Sequence, residues 1–352
     1  MANLGKTIYV YKLCKSKADQ GHSSVLRQFM EMAWLRATTG ISYATYHYAR
    51  MWRRDADWQY KTGFMSMKQY KKEVWRLNDR KFHGVSQYKP LEKAYFRLFA
   101  LKTPPYLGFF HITSGKTPEG NTLSSQQDLE TFLANKAGKM ICFKKVEGHG
   151  GRGFMAFKII PGNDAPLLQQ PGSEDQYTIG ELYGILATEP DGWLIEEYLV
   201  QHPEMARLNS SSVNTLRMHV YQDSNNKIHI LGTRLRVGAA GSLVDNNELG
   251  GISANVNIET GVVELAYHYS PEMNTITHHP DSGEQVVGFV VPYWEEAKNI
   301  GADALRHMPK TRFLGLDIAI TEQGPVMIEM NIEPSMNGLS TAETPIRHIF
   351  RT

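Results

Sequence analysis

The sequence has few of the features that mark secreted or membrane-spanning proteins. Its two cysteines, Cys14 and Cys142, are too few for a disulfide framework. No apolar run approaches the roughly 18 residues that a membrane-spanning helix needs. Residues 1–7 also lack the long apolar stretch of a signal peptide. We therefore expect a cytoplasmic protein without a membrane span.

An excess of one charge is also lacking. The 38 Lys and Arg residues nearly balance the 36 Asp and Glu residues, and the net charge of +2 gives no electrostatic case for a dedicated nucleic-acid binder. Aromatic and basic residues are interleaved over residues 43–76, but aromatic side chains at helical spacing more often belong to a core. We expect no nucleic-acid partner.

The 352 residues leave room for more than one core, and the composition changes along the chain. Residues 20 to about 100 are rich in Trp, Tyr, Met, Lys and Arg and favour helices. From about residue 105, short β-branched runs alternate with Gly, Pro and Asn, with helical segments near residues 178–186 and 294–308. Because regular βαβ repeats are missing, the pattern predicts an α+β fold of two or three subdomains.

Residues 315–331 form the most informative stretch. Two short apolar segments flank a Glu-Gln-Gly-Pro turn and predict a hairpin, with Asp317 on one strand and Glu329 and Asn331 on one face of the next. Two carboxylates and a carboxamide are hard oxygen donors of the kind that magnesium takes. A solvated hairpin with scattered acids is the alternative, but Glu329 lies in an apolar run, where an unpaired carboxylate would be costly.

A glycine-rich segment lies between two predicted strands at residues 140–159. Lys144 and Lys145 end the first strand, and four glycines follow within residues 148–153. Neither a Gly-Lys-Ser/Thr motif nor a following helix is present, so a Walker loop and a dinucleotide fingerprint do not fit. The segment predicts a strand-to-strand flap whose N–H groups can wrap phosphate, with Lys144 as a point charge. Taken alone, such a hairpin is more often a mobile turn.

Residues 191–200 combine a glycine turn with an apolar strand that ends in Glu196 and Glu197. Such a strand could give an adenine its backbone hydrogen-bond partners and apolar walls. An ordinary buried strand with a polar end is the alternative.

Arginines occupy two apolar strands. Arg217 lies on one of them, and Arg234 and Arg236 share a face of the next. Interior arginines need anionic partners, which the phosphate or carboxylate of a ligand could supply. Ion pairs with neighbouring acids such as Glu248 or Glu264 are the alternative.

The order of these motifs resembles the ATP-grasp superfamily, and more closely its sugar-transfer-associated branch. The resemblance covers roughly residues 85–340, and its matching segments are residues 196–199, 201–204, 212–217, 245–252, 279–283, 315–317 and 329–331. It implies an ATP-grasp fold, in which two α+β lobes grip ATP, with an N-terminal helical extension. The helical region is expected at residues 1–84, and the two lobes at 85–195 and 196–352.

The resemblance also implies ATP and Mg²⁺ as cofactors, and roles for individual residues. Residues expected to bind the nucleotide are Lys93, Lys144, Lys145, Gly148, His149, Gly150, Gly151, Arg152, Gly153, Glu196, Glu197, Tyr198 and Leu199. Magnesium is expected on Asp317, Glu329 and Asn331. Lys144, Arg217 and Arg236 are expected to act in catalysis, with the arginines facing the γ-phosphate and an acyl phosphate.

Two positions depart from the common ATP-grasp pattern. Lys145 stands where the superfamily usually has proline, so either Lys144 or Lys145 could be the phosphate contact. Asn246 and Asn247 both fit one polar role near Gly250.

His278 and His279 precede Pro280, which predicts a turn or a substrate contact rather than a zinc site.

The activity implied by the resemblance is ligation of a small-molecule carboxylate to an amine through an acyl phosphate, with ADP and phosphate formed. The family name suggests sugar-linked substrates. One alternative is a phosphotransferase that delivers phosphate to a hydroxyl of a sugar or another small molecule. The other is a non-catalytic nucleotide-binding module, which the intact set of Lys144, Arg217, Asp317, Glu329 and Asn331 argues against.

Overall fold

A computed structural model of the chain describes residues 2–148, 150–162, 165–245 and 250–351. The N-terminal part is helical, as predicted for residues 20 to about 100. Its helices are α1 (Ala2–Asp19), α2 (Val25–Thr39), α3 (Tyr43–Tyr48), α4 (Trp58–Thr62), α5 (Met67–Leu77), α6 (His83–Gln87) and α7 (Lys89–Leu98). Side chains of Ser24, Ser42, Asp57 and Ser66 cap the N-termini of α2 to α5. Helix α1 lies before the range that composition indicated, but inside the helical region expected at residues 1–84.

In the described part of the chain, six strands form an antiparallel sheet in the order β1-β6-β2-β3-β4-β5. They are β1 (Tyr106–Phe110), β2 (Met140–Lys145), β3 (Met155–Ile160), β4 (Leu167–Gln169), β5 (Gln176–Tyr177) and β6 (Trp193–Glu197). Helices α8 (Gln126–Ala134) and α9 (Ile179–Leu186) share an apolar core with this sheet. The sequence predicted α9 but not α8.

The described residues also form a seven-stranded antiparallel sheet in the order β11-β10-β9-β8-β7-β12-β13. Its strands are β7 (Thr215–Gln222), β8 (Ile228–Val237), β9 (Ile252–Val256), β10 (Val263–His268), β11 (Thr275–Ile276), β12 (Phe313–Thr321) and β13 (Gly324–Asn331). The predicted helix near residues 294–308 is α11 (Trp294–His307), which packs on this sheet. Two short helices, α10 (Pro203–Leu208) and α12 (Met336–Thr341), were not predicted.

The N-terminal helices pack directly on the seven-stranded sheet. Asn78, at the end of α5, is buried, and its side-chain amide donates to the carbonyls of Phe313 and Ile332 at 2.7 Å each. Tyr70 donates its hydroxyl to the carbonyl of Pro334 at 2.8 Å. The predicted division at residues 84/85 and 195/196 stays a prediction, and β6 crosses its second boundary.

Within the described residues, no helix combines the length and the apolar character that spanning a membrane would take.

Candidate active site

A cleft lies between the two sheets and is lined also by α7. Of the residues predicted to bind ligands, those that line it are Lys93, Lys144, Lys145, Gly148, Gly150, Gly151, Arg152, Glu197, Tyr198, Leu199, Arg236, Asp317 and Glu329. Gly153, Glu196, Arg217 and Asn331 are not part of the lining, and His149 lies outside the described residues. The fold therefore brings most of the predicted set to one place.

Two lysines meet one buried carboxylate beside the cleft. Lys93 on α7 and Lys144 on β2 each place Nζ 2.6 Å from a different oxygen of Glu196 on β6. Burial opposes the charged forms of Lys144 and Glu196. Their mutual attraction outweighs it, so the pKa of Lys144 is raised and that of Glu196 is lowered.

Glu196 was predicted to line an adenine pocket, but in the structure its side chain does not line the cleft. Its side chain is fully buried, although Leu194, two residues earlier on the same face of β6, lines the cleft. The physical reason is the two ammonium groups, which bind the Glu196 carboxylate and cover it.

The geometry separates the two lysines that end β2. Lys144 Nζ binds Glu196 beside Lys93. Lys145 Nζ instead lies 2.5 Å from Glu189, and 5.7 Å from the centre of the Trp193 ring. Lys144 thus lies beside Lys93 and Lys145 beside Glu189, while both side chains line the cleft, and the choice of phosphate contact stays a prediction.

The glycine-rich segment connects β2 to β3 as a hairpin, which confirms its predicted strand-to-strand form. Gly151 has φ +73, and a Cβ there would come within 2.9 Å of the Val244 side chain. The flap thus touches the segment that follows β8. Lys89 on α7 donates to the carbonyl of Gly148 at 3.1 Å, which ties the flap to the helix as well.

The strand end after Glu196 forms the adjoining wall of the cleft. The N–H of Glu197 donates to Pro105, and the N–H of Tyr198 donates to Met140, both at 3.0 Å. These two N–H groups are used within the sheet, so an adenine would need other backbone groups of residues 197–199. Leu194 and Phe154 add apolar lining.

Charged side chains form a row across the seven-stranded sheet, and two of them, Asp317 and Glu329, line the opposite wall of the cleft. Glu329 on β13, Asp317 on β12, Arg217 on β7 and Arg234 on β8 are cross-strand neighbours in register. Arg217 grips Asp317 through Nε at 2.5 Å and Nη2 at 2.9 Å. Cross-strand neighbours project from one face of a sheet, which explains the row.

Arg236 joins this row to a carboxylate that sequence reasoning did not select. Its guanidinium lies 2.6 Å from Asp245 and 3.5 Å from Asp317. Burial opposes the charge of Arg236, but the two carboxylates outweigh it and raise its pKa. Asp245 also accepts a hydrogen bond from the Thr215 hydroxyl. Its place beside the arginine strands becomes visible only once the sheet is formed.

The ion-pair alternative drawn from the sequence holds for Arg217 and Arg236, but Glu264, one of the acids that it named, is not their partner. Glu264 accepts a hydrogen bond from Asn257 at 2.7 Å, whereas Arg217 and Arg236 pair with Asp317 and Asp245. Glu248, Asn246 and Asn247 lie outside the described residues.

Arg234 carries no such pair within the described residues. Its Nε and Nη1 are buried without an acceptor there, and its guanidinium lies 5.6 Å from the centre of the Tyr269 ring.

The residues predicted to hold magnesium fit an oxygen-ligated ion. Asp317 and Glu329 are paired across β12 and β13, and both line the cleft. Asn331 is two residues beyond Glu329. Its Nδ2 has no acceptor among the described residues, so no hydrogen bond from this nitrogen fixes the orientation of the carboxamide there. No group of three or more His, Cys, Asp and Glu in that part of the chain could hold a metal. An ion here would need Asn331 and ligand oxygens besides the two carboxylates.

The hairpin that carries these donors is confirmed, with one difference. A bulge at Ile328 interrupts the pairing, because Asp317 opposes Glu329 while Ile318 opposes Met327. Ile328 and Glu329 consequently both line the cleft, where strict alternation would turn them to opposite faces.

Helix α7 contributes two cleft residues that sequence reasoning missed. Lys89 lies three positions before Glu92 and four before Lys93, and both spacings place residues on one helix face. Glu92 is buried and accepts a hydrogen bond from the N–H of Met330 at 2.6 Å. Burial, with the charge of Glu329, raises the pKa of Glu92 to about 8. Helical periodicity from Lys93 leads to Lys89, and the same periodicity from Lys89 leads on to Glu92.

His279 takes the turn role that the sequence allowed. It is buried, with Nε2 3.0 Å from the carbonyl oxygen of Gly238, while Asp281 and Ser282 donate N–H groups to Nδ1 at 3.3 Å.

Two antiparallel sheets that enclose a cleft, with a glycine-rich hairpin beside its lysines, are the arrangement of the ATP-grasp fold. The model of the family called sugar-transfer-associated ATP-grasp matches residues 68–346, and the chain belongs to this family. Comparison with curated proteins gives no match.

Similar solved structures have low sequence identity. An N5-carboxyaminoimidazole synthetase from Staphylococcus aureus complexed with ADP shares 11% identity at a TM-score of 0.40, over 72% of this chain and 46% of that one. D-alanyl-alanine synthetase A from Vibrio cholerae shares 14% identity at a TM-score of 0.40, over 75% of this chain and 60% of that one. An L-amino acid ligase from Bacillus licheniformis shares 10% identity at a TM-score of 0.39, over 73% of this chain and 43% of that one. The matches thus span less than two thirds of each of these proteins, and at these TM-scores they carry no functional argument.

Proposed function

We propose that the chain is an ATP- and magnesium-dependent ligase that joins a small-molecule carboxylate to an amine through an acyl phosphate. The observation that carries the proposal is the pairing of two walls across one cleft: Lys144 and the flap on one side, Arg236, Asp317 and Glu329 on the other. Cations on both walls, with Asp317 and Glu329 beside Arg236 on one of them, suit a metal-bound triphosphate. Membership of the ATP-grasp family supports the same reading.

The lysines keep donors for phosphate although they are already paired. An ammonium group has three N–H donors. Lys144 gives one to Glu196, whereas Lys93 gives one to Glu196 and one to Thr103 at 2.6 Å. Lys144 therefore has the greater capacity for phosphate oxygens. Glu196 holds both lysines in place and limits the repulsion between them.

Magnesium would be held by Asp317, Glu329 and Asn331, and when bound it would neutralise charge on the transferring phosphoryl group. The arginines act from the same wall. Arg236 is fixed by Asp245 and Asp317, and it lines the cleft where it can bind the transferring phosphate. Such fixed cations need little rearrangement during the reaction.

The proposed reaction has two balanced steps. An oxygen of the substrate carboxylate attacks the γ-phosphorus, the bond to the β-phosphate oxygen breaks, and ADP leaves with an acyl phosphate formed. The amine nitrogen then attacks the acyl carbon, the bond to phosphate breaks, and phosphate leaves carrying the proton lost by the amine. The protein contributes positioning and charge stabilisation, so a nucleophilic side chain is not required.

An ADP-release screen over candidate carboxylates and amines, with mass spectrometry of the products, tests this proposal. We expect ADP release that requires both substrates, and a product whose mass is the sum of the two less water. ADP release with a hydroxyl substrate alone, and a product heavier by one phosphoryl group, would transfer the assignment to a phosphotransferase.

A further inference from the structure

A second cavity lies between the N-terminal helices and the loop that leads into β11. Its volume is about 190 Å³, and it shares no lining residue with the cleft. Lys17, His22, Arg50 and Trp52 line it from the helical side, and residues 273–275 from the other. Within the described part of the chain, no carboxylate lines this cavity.

Lys17 is a buried cation without a matching anion. The residue is only 2% exposed. Its Nζ donates a long hydrogen bond of 3.4 Å to the side-chain carbonyl oxygen of Gln20, which is neutral. The ammonium also lies 4.9 Å from the centre of the Trp52 ring. Burial and repulsion by Arg50 lower the pKa of Lys17 and outweigh the attraction of Glu272. Buried lysines are ordinarily paired, so this cation calls for a partner.

Further donors at the cavity are unsatisfied. Trp52 is 1% exposed, and its Nε1 has no acceptor among the described residues; the same holds for Nε of Arg50. Arg50 does pair with Glu343 at 3.1 Å, but Arg53 binds the same carboxylate at 2.6 Å. Arg53 also lies 3.6 Å from Asp55, but among the described residues Lys17 and Arg50 have between them only the shared Glu343 carboxylate as an ion-pair partner, so positive charge remains at the cavity.

Two residues at the cavity have positive φ angles, a backbone conformation that residues other than glycine rarely adopt. Arg50 has φ +50 and Met273 has φ +46, and both residues line the cavity, one from each side. Such strain persists where the surrounding structure fixes the residue, and it is concentrated at functional sites.

We propose that this cavity binds a small oxyanion, the phosphate or carboxylate group of a ligand, between Lys17, Arg50 and the Nε1 of Trp52. One negatively charged group would supply acceptors for all three donors at once. The site is separate from the cleft and does not depend on the proposed ligase activity. Its ligand would contact both the N-terminal helices and the loop before β11.

Thermal unfolding of the full chain in phosphate, acetate or chloride at equal ionic strength tests the proposal. An anion that binds only the folded protein raises the unfolding midpoint with concentration. We expect phosphate or acetate to raise it beyond chloride, and whichever does so identifies the chemical group. Lys17→Met should weaken this response about tenfold or more, since the central charge is lost.

Three comparisons separate binding from a structural role. Lys15→Met, on the same helix but exposed and paired with Asp19, should respond like the wild type. Trp52→Phe keeps a ring and removes only Nε1, so it should weaken the response about tenfold. In chloride, Lys17→Met should be at least as stable as the wild type, because an unpaired buried charge is gone.

Contradictory results are equally specific. An equal phosphate and acetate response in the wild type and in Lys17→Met would place anion binding elsewhere, the cleft included. A wild-type response no larger than that to chloride would mean that the cavity binds no oxyanion. An unchanged anion response in Trp52→Phe would overturn the assignment even if Lys17→Met failed to fold.

Discussion

Two arginines of the protein itself lie against the Asp317 carboxylate. Arg217 grips it at 2.5 and 2.9 Å, and Arg236 lies 3.5 Å away. Much of its negative charge is therefore offset within the protein. Glu329, its cross-strand neighbour, lines the cleft without a direct ion pair to any residue that the structure describes, so it is the carboxylate whose charge a magnesium ion would use most.

Glu329→Gln should abolish ADP formation while the fold and much of the nucleotide affinity stay intact, because a ligand charge is lost without loss of volume. Steady-state ADP release, nucleotide titration and circular dichroism measure these three properties. Glu322→Gln, in the exposed turn of the same hairpin, is the matched control and should keep wild-type activity. Undiminished ADP formation in Glu329→Gln would remove Glu329 from the proposed metal site.

The buried side chain of His219 should make the free energy of unfolding depend on pH in the acid range. It is buried on β7, and burial, with the charges of Arg234 and Arg217, lowers its pKa to about 3. An unfolded histidine has a pKa of about 6.5, so between these values the unfolded chain binds a proton that the folded chain does not. The free energy of unfolding therefore falls as the pH falls from about 6.5 towards 3, and this contribution is fully present above 6.5.

His219→Gln should flatten that acid limb by up to about 1.4 kcal/mol per pH unit, the effect of one proton. Urea unfolding at a series of pH values measures the slope. Parallel curves for the wild type and the variant would show that His219 does not carry the dependence.

At the scale of elements, the flap is the part of the cleft whose order should depend on ligand. Glycines lose the most backbone freedom on ordering, and phosphate would give their N–H groups partners. We expect a non-hydrolysable ATP analogue to slow hydrogen exchange over residues 147–153. Lys144→Met should lose much of this protection, whereas Lys145→Met, whose ammonium pairs with Glu189, should keep it. Unchanged exchange in the wild type, or the reverse order of the two variants, would contradict the assignment.

Elements were predictable where the pattern is local. Alternation of apolar residues indicated the hairpin around Asp317 and Glu329, and the glycines between two strands indicated the flap. The bulge at Ile328 has no local sign, because one extra residue in an apolar strand leaves the composition unchanged. Helix α8 was missed although Ser125 and Asp128 form a capping box at its start.

The contacts that build the candidate site could not be read from the sequence. Lys93 and Glu196 are far apart in the chain, and only the tertiary fold brings their charged groups to 2.6 Å. Asp245 reaches Arg236 in the same way, through a segment that folds back over its own strand. Motif order indicated the residue set, but the partner of each charge depends on tertiary structure.

At the scale of the whole molecule, the N-terminal helices are part of the structure that supports the cleft. Asn78 satisfies four backbone groups at once: it donates to Phe313 and Ile332, and it accepts from the N–H groups of Arg312 and Phe313. Phe313 begins β12, the strand of Asp317. One buried side chain thus links α5 to the wall that carries the charged row.

Asn78→Ala should cost at least about 3 kcal/mol of unfolding free energy, since several buried backbone groups lose their partner. Denaturant unfolding of the full chain measures this loss. Asn135→Ala is the control, because Asn135 is exposed and its side chain donates within its own helix end. A change below about 1 kcal/mol in Asn78→Ala would mean that the helices and the sheet are only loosely coupled.

Hydroxylamine trapping tests the central claim most directly, because an acyl phosphate has an electrophilic carbonyl that hydroxylamine attacks. With ATP, magnesium and the carboxylate substrate found in the screen, we predict a hydroxamate of that carboxylate, with ADP and free phosphate released in equal amounts. Glu329→Gln should form none, and Glu322→Gln should form wild-type amounts. ADP without free phosphate, together with a phosphorylated product that survives hydroxylamine, would contradict the ligase assignment and establish phosphate transfer to a hydroxyl instead.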